Sequence, residues 1–243
     1  MRPVSPTTTL DACAAVAQTS EWNTYRSLPG TSVISISLIS FGRMRHDAIA
    51  AAMQSLGYAD ALVVDMRTNA GGSPGTVALL ASYFFDAPGL LLFEIIPRSD
   101  ARDGRYSTED PAVPNRDGIR PLYILTSEQT FSAGEGLAYI VQERQRGEIV
   151  GEKTAGAANP GRPYPVNPHF EVTVPNGRVR MALTGRNWEG IGVTPEIAVP
   201  ASDALHVAHI RALRTLLSAT PNGSWADSLR RELKALEAER RPR

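Results

Sequence analysis

A serine at the junction between a predicted strand and a predicted helix could act as a nucleophile. Ser132 lies in the segment TFSAGE, after the apolar run at 122–126 and before a helix-like run at 134–144. A hydroxyl at the start of a helix lies at the positive end of the helix dipole, which stabilises an attacking oxygen or an anion. The local sequence is equally compatible with an N-cap serine. The sequence has no G-x-S-x-G elbow around this serine, which argues against an α/β-hydrolase.

A glycine-rich turn could supply the second half of such a site. Residues 65–72 read DMRTNAGG and follow a predicted buried strand. The backbone N–H groups of Gly71 and Gly72 could bind an oxyanion. The alternative is a tight strand-to-helix turn with an ion pair between Asp65 and Arg67. Neither phosphate-binding pattern, G-x-x-x-x-G-K-[ST] or G-x-G-x-x-G, occurs here, so a nucleotide site is disfavoured.

Composition sets limits on the class of protein. The 243 residues are 42% hydrophobic, and 25 basic residues balance 25 acidic ones, so neither nucleic acid nor an anionic membrane is an expected partner. Cys13 is the single cysteine and excludes an intramolecular disulfide; we expect a buried, unreactive thiol. The N-terminus lacks a signal-peptide pattern, and no apolar run reaches the ~18 residues of a membrane span. We therefore expect a cytoplasmic protein.

Apolar periodicity predicts strands that alternate with helices. A continuous apolar run such as 61–66 is typical of a strand buried on both faces of a parallel sheet. The alternation predicts an α/β fold with mostly parallel strands. The predicted strands lie at 33–41, 61–66, 90–96, 121–126 and 148–151, and the predicted helices at 47–56, 76–85, 133–144, 201–217 and 225–240.

The segments between these elements predict loops and one hairpin. Residues 97–120 are polar and rich in Arg, Asp and Pro, so we expect a long surface loop or hairpin, and residues 154–168 predict another loop. The Pro-Asn-Gly sequence at 175–177 predicts a β-hairpin between 170–174 and 178–183.

We predict three regions along the chain. An N-terminal helical segment or linker occupies residues 1–30, the α/β core residues 31–218, and a charged C-terminal helix and tail residues 219–243.

Four blocks, in order, resemble the tail-specific (C-terminal-processing, S41-type) serine peptidases. The resemblance covers roughly residues 32 to 210 and extends to the tricorn core and the interphotoreceptor retinoid-binding protein modules, whose branch the chain resembles most. The blocks are LVVDMRTNAGG at 62–72, LTS with TFSAGE at 125–135, VGEKTAG at 150–156 and NWEGIGVTPE at 187–196.

This resemblance implies a fold and a set of catalytic groups. The fold would be a ClpP/crotonase-like spiral of ββα units. Ser132 would be the nucleophile, and the oxyanion hole would be formed by the backbone N–H of Ala133 and of Gly71 or Gly72. Each donor typically contributes ~3 kcal/mol to stabilising the tetrahedral intermediate. We expect no PDZ domain, since no stretch of suitable length precedes residue 32.

The general base departs from the family pattern. The processing peptidases pair their serine with a lysine in the block after G-E-x-T, and Ala157 stands at that place. The chain has two lysines, Lys153 and Lys234. Lys153 is expected to be exposed and therefore protonated at neutral pH, which disfavours a Ser/Lys dyad.

Tricorn-like members use a serine, a histidine and a glutamate instead. Glu189 matches the glutamate, but Ser37 stands about where the histidine of the first core strand should be. The candidate substitutes are His46, which starts the helix after that strand, and His169, in the loop after the G-E-K-T block.

The two remaining histidines do not indicate a metal site. His206 and His209 are three residues apart on a late predicted helix with no third ligand near them, so we predict two solvated or capping side chains. No metal or other cofactor is expected.

Three functions remain open because a serine hydroxyl needs a base to attack. The first is peptide hydrolysis with a base from an unexpected position. The second is binding of an apolar ligand or peptide without hydrolysis, as in the retinoid-binding modules. The third is a non-proteolytic reaction such as cyclisation or acyl transfer on the same scaffold. The expected partner is a peptide or a small apolar ligand, and the chain could form a homo-oligomer.

Overall fold

The computed structural model of the chain describes residues 22–27, 33–42, 46–57, 59–98, 104–109 and 120–239. Within these ranges, eleven strands and five helices follow one another. They are β1 (Trp22–Ser27), β2 (Val33–Leu38), α1 (His46–Ser55), β3 (Ala61–Asp65), α2 (Pro74–Ala81), β4 (Leu91–Pro97), β5 (Gly104–Ser107), β6 (Leu122–Thr126), α3 (Ala133–Glu143), β7 (Glu148–Gly151), β8 (Gly161–Asn167), β9 (Phe170–Pro175), β10 (Gly177–Met181), β11 (Ile197–Ala198), α4 (Ala201–Ala219) and α5 (Ser224–Glu239).

A six-stranded sheet in the order β1-β2-β3-β6-β7-β11 forms the centre of the fold. All neighbouring strands are parallel except β1, which pairs antiparallel with β2. The parallel sheet with intervening helices confirms the predicted α/β class. Strand β1 was not predicted. It lies inside the region assigned to an N-terminal segment (1–30), so the sheet begins before residue 31.

Both faces of the central sheet are buried, as the apolar run of β3 predicted. Leu62 and Val64 pack into a core that also includes apolar residues of α1, α2 and α3. Ala61 and Val63 point to the other face, where they belong to a buried cluster that also contains apolar residues of α4 and α5. Successive strand residues alternate between the faces, so a strand covered on both sides needs apolar residues at every position.

The charged C-terminal helix packs on its own chain. Leu229 and Leu236 of α5 belong to the same buried cluster as Leu213 of α4. An ion pair between Arg214 and Glu237 joins the two helices at 2.7 Å. The helix predicted within 219–243 therefore extends the α-helical layer on this face of the sheet.

The predicted Pro-Asn-Gly hairpin is wrong. Strand β9 pairs antiparallel with β8, and β10 pairs antiparallel with β4 in a second sheet of order β10-β4-β5. Strand β8 lies within the predicted loop 154–168. Strand β5 lies within 97–120, predicted as a long surface loop or hairpin, and pairs antiparallel with β4.

Burial against a strand distant in sequence explains why β10 pairs with β4 and not with β9. Val179 and Met181 are 4% and 1% exposed in the core beside β4. On the other face of the pair, Arg180 binds Glu94 at 2.6 Å. This hydrogen bond lowers the pKa of Glu94 below its usual value, with a smaller contribution from the charge of Arg105. Burial and charge pairing with a distant strand thus override a local turn signal.

Candidate active site

The two predicted loops meet at the carboxyl ends of adjacent parallel strands. β3 pairs with β6, so the segments that follow them leave the sheet at the same edge. Three hydrogen bonds join them: Phe131 N–H donates to Asn69 O at 2.9 Å, Thr130 Oγ1 to Met66 O at 2.8 Å, and Ser127 Oγ to Arg67 O at 2.5 Å.

Ser132 has a backbone conformation that side-chain-bearing residues rarely adopt. Its φ is 52° and its ψ is −118°, directly before α3. Such a conformation costs of order 1–3 kcal/mol and persists only where the surroundings enforce it, commonly at functional sites. An ordinary N-cap has extended backbone instead. A strained strand-to-helix turn presents the nucleophile in the serine hydrolases that carry an elbow, although the sequence pattern here is different.

Gly71 lies directly against Ser132. A Cβ built on Gly71 would lie 2.8 Å from Ser132 Cβ and 2.9 Å from Phe131 O, and Gly71 has a φ of +91°. The glycine is therefore required both by its conformation and by the close approach of the serine loop. Its N–H donates to Asn69 Oδ1 at 2.8 Å, so this donor is already engaged.

Two other N–H groups at the junction are available. Gly72 N–H and Ala133 N–H donate no hydrogen bond to any residue that the structure describes. Gly72 is fixed by a parallel bridge to Phe41, and Ala133 is the first residue of α3. Both residues line the same cavity as Ser132.

This cavity has a volume of about 240 Å³ and a mostly apolar wall. The sheet β10-β4-β5 contributes one side of it, and the start of α3 contributes another. Its lining residues are Gly72, Pro74, Val77, Phe93, Ile95, Ser132, Ala133, Gly136, Ala158, Pro160, Gly161, Val179 and Trp188.

Glu135 is a buried carboxylate that holds the serine loop. It is 0% exposed. Oε1 accepts hydrogen bonds from Thr154 Oγ1 and Gly156 N–H, both at 2.6 Å. Oε2 accepts from Ser132 N–H and Ala157 N–H, both at 2.8 Å. Four donors satisfy the buried charge, which would otherwise be costly, and they tie the serine to the segment 154–157.

Ala157 lies in that segment, at the position where the sequence resemblance implies a lysine. Its N–H shares Glu135 Oε2 with Ser132 N–H, so the two residues are close neighbours although 25 positions separate them in the sequence. A side chain at position 157 therefore starts near the serine. Alanine supplies no basic group there.

Glu189 is exposed and supports the next part of the same segment. Its Oε2 accepts hydrogen bonds from Ala158 N–H and Asn159 N–H, both at 2.8 Å. It is not among the residues that line the cavity, whereas its neighbour Trp188 is. These contacts make Glu189 a support for the cavity wall.

The proposed basic residues are not brought to Ser132 among the described side chains. His169 is exposed at the turn between β8 and β9, where its N–H donates to Asn167 Oδ1. Asn167 is six residues along the strand from Gly161 in the cavity wall, or about 20 Å at ~3.3 Å per residue. Lys153 is exposed. α1 begins at His46, and the side chain of that histidine lies outside the described part of the structure.

Ser37 lines a different, polar cavity at the carboxyl edge of the sheet. Asp65 and Arg67 line it as well and form the predicted ion pair, at 2.6 Å. This hydrogen bond raises the pKa of Arg67. Arg67 also donates to Ala201 O at 2.7 Å, so the pair fixes the β3 turn against the start of α4.

Neither a metal cluster nor a membrane span is found in the described ranges. No group of three or more His, Cys, Asp or Glu side chains there is placed to hold a metal ion. His206 and His209 lie on α4, where His209 is 3% exposed. No helix in these ranges combines the length and apolar character needed to cross a bilayer.

The comparison with protein families matches the part of the chain that builds this site. Residues 32–199 match the model of Peptidase family S41. The chain belongs to peptidase family S41. The four sequence blocks around Gly71, Ser132, Gly156 and Glu189 all fall inside the matched range of this S41 chain.

Curated relatives of the S41 chain are processing proteases. It is 31% identical over 132 residues to the carboxyl-terminal-processing protease of Synechocystis sp., which is 54% of this chain and 29% of that protein. It is 27% identical over 177 residues to carboxyl-terminal-processing peptidase 2, chloroplastic, of Arabidopsis thaliana, which covers 69% of this chain and 32% of that protein. It is 31% identical over 99 residues to the tail-specific protease of Haemophilus influenzae, which covers 40% of this chain and 13% of that protein. The chain thus spans a third or less of the length of these relatives.

Solved structures agree on the fold. The photosystem II D1 C-terminal processing protease matches the S41 chain with a TM-score of 0.56 at 26% identity, over 72% of this chain and 45% of that one. Mature CPAF matches with a TM-score of 0.58 at 16% identity, over 79% and 52%, which shows the shared fold.

The residues that build the site without facing the cavity were not predicted from the sequence. Asn69 is fully buried, donates to Leu38 O at 3.0 Å and accepts from Gly71 N–H. Glu135 was quoted within a block but given no role. A polar residue at a helix N3 position after a serine is a capping signal, and this could have drawn attention to Glu135.

Proposed function

We propose that this chain is a serine-type peptidase that forms an acyl-enzyme on Ser132. The single observation that carries the proposal is the meeting of Ser132, in its strained conformation, with the glycine turn at the wall of one cavity. Family membership supports the same reaction. In this reaction the hydroxyl oxygen attacks a peptide carbonyl, the C–N bond breaks, and the amine leaves with the proton of the hydroxyl. A water molecule later hydrolyses the resulting ester, which releases the carboxylic acid and restores the serine.

Gly72 and Ala133 are the proposed oxyanion donors. Their N–H groups are unengaged by the described residues, and both residues line the cavity of Ser132. Gly71 instead supplies the close packing, because its own N–H is held by Asn69. Fixed donors aimed at the developing charge stabilise the tetrahedral intermediate without reorganisation.

Glu135 and Glu189 act in this proposal as positioning residues. Each accepts backbone N–H groups of the segment 154–159 through a carboxylate. This segment forms part of the cavity wall through Ala158. Neither carboxylate has to touch the substrate to act in this way.

The proposed reaction also requires a group that accepts the proton of the Ser132 hydroxyl. Position 157 holds alanine, Lys153 is exposed, and His169 is at the tip of β8–β9. The assignment of His46 as the base stays a prediction. Without a strong base the reaction would be slow, since the oxyanion hole alone retains only part of the rate enhancement of a serine peptidase.

Peptide hydrolysis tests the proposal directly. We expect a mixture of unstructured peptides to be cleaved by the wild-type chain and left intact by Ser132→Ala, with new termini identified by mass spectrometry. Cleavage by Ser132→Ala at the wild-type rate, or no cleavage by either protein, would contradict the proposal.

Binding of an apolar ligand without hydrolysis is the second candidate. The apolar lining of the cavity, including Phe93, Ile95 and Trp188, and the alanine at position 157 favour it. A ligand bound to the native state raises the melting temperature by mass action. Under this alternative, a fatty acid or retinoid raises the melting temperature of the wild type and of Ser132→Ala equally, and peptides stay uncleaved.

A further inference from the structure

Strands β8 and β9 form a hairpin that projects from the rest of the protein. Nearly all of its residues are exposed, with Val174, near its base, half-buried. An isolated two-stranded hairpin is marginally stable in water and gains stability when a further strand joins it. The hairpin therefore offers an interaction surface.

The two prolines of β8 fix the direction of its backbone groups. Pro163 pairs with Thr173, and Pro165 pairs with Glu171. A proline has no N–H, so these positions cannot be the hydrogen-bonded pairs of the ladder. Asn176 N–H donates to Pro160 O at 3.0 Å, which places the hydrogen-bonded pairs at the even positions of β8.

In this register, no strand among the described residues pairs with the outer edge of β9. In a non-hydrogen-bonded pair both residues point their N–H and C=O away from the partner strand. Glu171 and Thr173 thus direct these groups outward, where no acceptor among the described residues takes their N–H. Pro175, the next outward position of β9, has no N–H, so the open stretch of this edge ends at Thr173. The outer edge of β8 lacks the N–H groups of Pro163 and Pro165 and is therefore a poorer edge for strand addition.

One face of the hairpin is apolar. Tyr164 and Val172 form a cross-strand pair and are 50% and 47% exposed. Phe170 lies on the same face by alternation and is 69% exposed. A strand added to β9 would place every second side chain on this apolar face and the others beside Glu171 and Thr173.

The hairpin is continuous with the cavity of Ser132. Pro160 and Gly161, at the base of β8, line that cavity. Thr173 Cγ2 lies 2.8 Å from the position of a Cβ built on Gly161, so the last outward N–H of β9 before Pro175 belongs to a residue that contacts the cavity wall. An extended chain that runs along this edge towards the base of the hairpin approaches the residues that line the cavity of Ser132.

We propose that the outer edge of β9 binds an extended segment of a peptide substrate as an additional strand, with apolar residues at every second position, and directs it to the Ser132 cavity. Backbone pairing supplies affinity, and the apolar face selects the alternating pattern. Glu171 favours basic residues at the intervening positions. This inference rests on the proposed peptidase function for the identity of the peptide as substrate. A second copy of the chain is the competing occupant; continuity with the cavity favours the substrate.

Binding to the Ser132→Ala chain tests the inference without any hydrolysis. The probe is a fluorescein-labelled decapeptide in which valine and lysine alternate, followed by fluorescence anisotropy. We expect Thr173→Pro, which removes the outward N–H and leaves the β8 ladder intact, to raise Kd at least tenfold. Thr173→Val keeps the N–H and should leave Kd within twofold. Equal Kd values for the two variants, or no binding by the parent chain, would overturn the inference.

A second measurement needs no change in the protein. Two peptide isomers carry N-methyl groups on all valines or on all lysines, and each modification removes the donors of one edge of the peptide strand. We expect one isomer to bind like the parent peptide and the other to lose binding at least tenfold. Equal affinities of both isomers would overturn the inference even where Thr173→Pro fails to fold.

Two controls separate the possible failures. Sedimentation of the peptide-free chain reports self-association; a dimer that Thr173→Pro converts to a monomer would assign the edge to a second copy and overturn the inference. Covalent labelling of Ser132 in the wild-type chain reports the peptidase function separately. Labelling of Ser132 together with equal peptide affinities of the two Thr173 variants would overturn the proposed binding edge. Strand-like peptide binding by a chain whose Ser132 is not labelled would overturn only the proposed peptidase function.

Discussion

Ser132 and Ala157 donate their backbone N–H groups to the same oxygen, Oε2 of Glu135, each at 2.8 Å. Two segments that are far apart in sequence are thereby held in one fixed arrangement beside the cavity. The first segment carries the proposed nucleophile, and the second presents a methyl group where the sequence resemblance implies a lysine. The chain thus has the fold of peptidase family S41 with alanine at the position of the implied base.

Ala157→Lys should increase hydrolysis. The new amine would start from a half-buried position next to the serine, where it can accept the proton of the hydroxyl. A positioned general base contributes about 10²- to 10⁴-fold. We expect kcat/KM for a cleaved peptide to rise at least tenfold, while Ala155→Lys, two residues away at an exposed position, leaves it unchanged. No gain at position 157 in a folded variant would show that the base acts from elsewhere.

Glu135→Gln should destabilise the protein and reduce the reactivity of Ser132. Glutamine has one acceptor oxygen, and its NH₂ group would face backbone donors that now bind the carboxylate. Hydrogen bonds to a charged group contribute about 1.5–3 kcal/mol each, so we expect a loss of about 3 kcal/mol. Chemical denaturation measures this loss, with the exposed Glu128→Gln as the matched control. Equal stability of the two variants would show that the buried carboxylate does not hold the loop.

Gly71→Ala should separate the two loops. The added methyl would meet Ser132 Cβ and Phe131 O at less than 3 Å, in addition to the strain of a positive φ. Gly89→Ala is the control, because Gly89 has a φ of +74° with nothing within 4 Å of the added carbon. We expect the control to lose only about 1 kcal/mol and to keep its activity. Peptide cleavage by Gly71→Ala should fall at least tenfold; full activity would mean that the packing of Gly71 on Ser132 is not required.

The parts of the site that follow local signals were predictable from the sequence. The apolar run before Asp65 and the serine at a strand-to-helix junction each carry their own pattern, and strands β3 and β6 lie where they were expected. The pairing of β8, β9 and β10 was not predictable, because the burial of Val179 beside β4 depends on a strand some 80 positions away. The choice of Gly72 over Gly71 as donor depends on the orientation of the Asn69 side chain, which sequence patterns do not encode.

Acid should destabilise the sheet β10-β4-β5 through Glu94. The hydrogen bond from Arg180 lowers the pKa of Glu94 below its usual 4.5, so the unfolded chain binds this proton first as the pH falls. The stabilisation is present above the unfolded pKa and is lost as the pH falls through the folded pKa. Urea denaturation between pH 3 and 7 measures the free energy of unfolding. We expect this free energy to fall less steeply at the acid end for Glu94→Gln than for the wild type. An identical pH dependence of the free energy of unfolding in the two proteins would mean that this carboxylate does not contribute to the loss of stability in acid.

His169→Ala should leave hydrolysis within twofold of the wild type. The side chain lies at the exposed tip of β8–β9, far along the hairpin from Gly161 in the cavity wall. The pH dependence of kcat/KM should also be unchanged. A loss of 10²-fold or more, together with a changed pH profile, would place this histidine at the serine and contradict the extended position of the hairpin.

The central claim is that the Ser132 hydroxyl is a nucleophile facing the Gly72 and Ala133 amides, and covalent labelling tests it most directly. The wild-type chain is incubated with a fluorophosphonate, and the modified peptide is identified by mass spectrometry. The account predicts one adduct per chain, located on Ser132, that is absent from Ser132→Ala and greatly slowed in Gly71→Ala. An unlabelled wild-type chain, or an adduct that persists in Ser132→Ala, would contradict it.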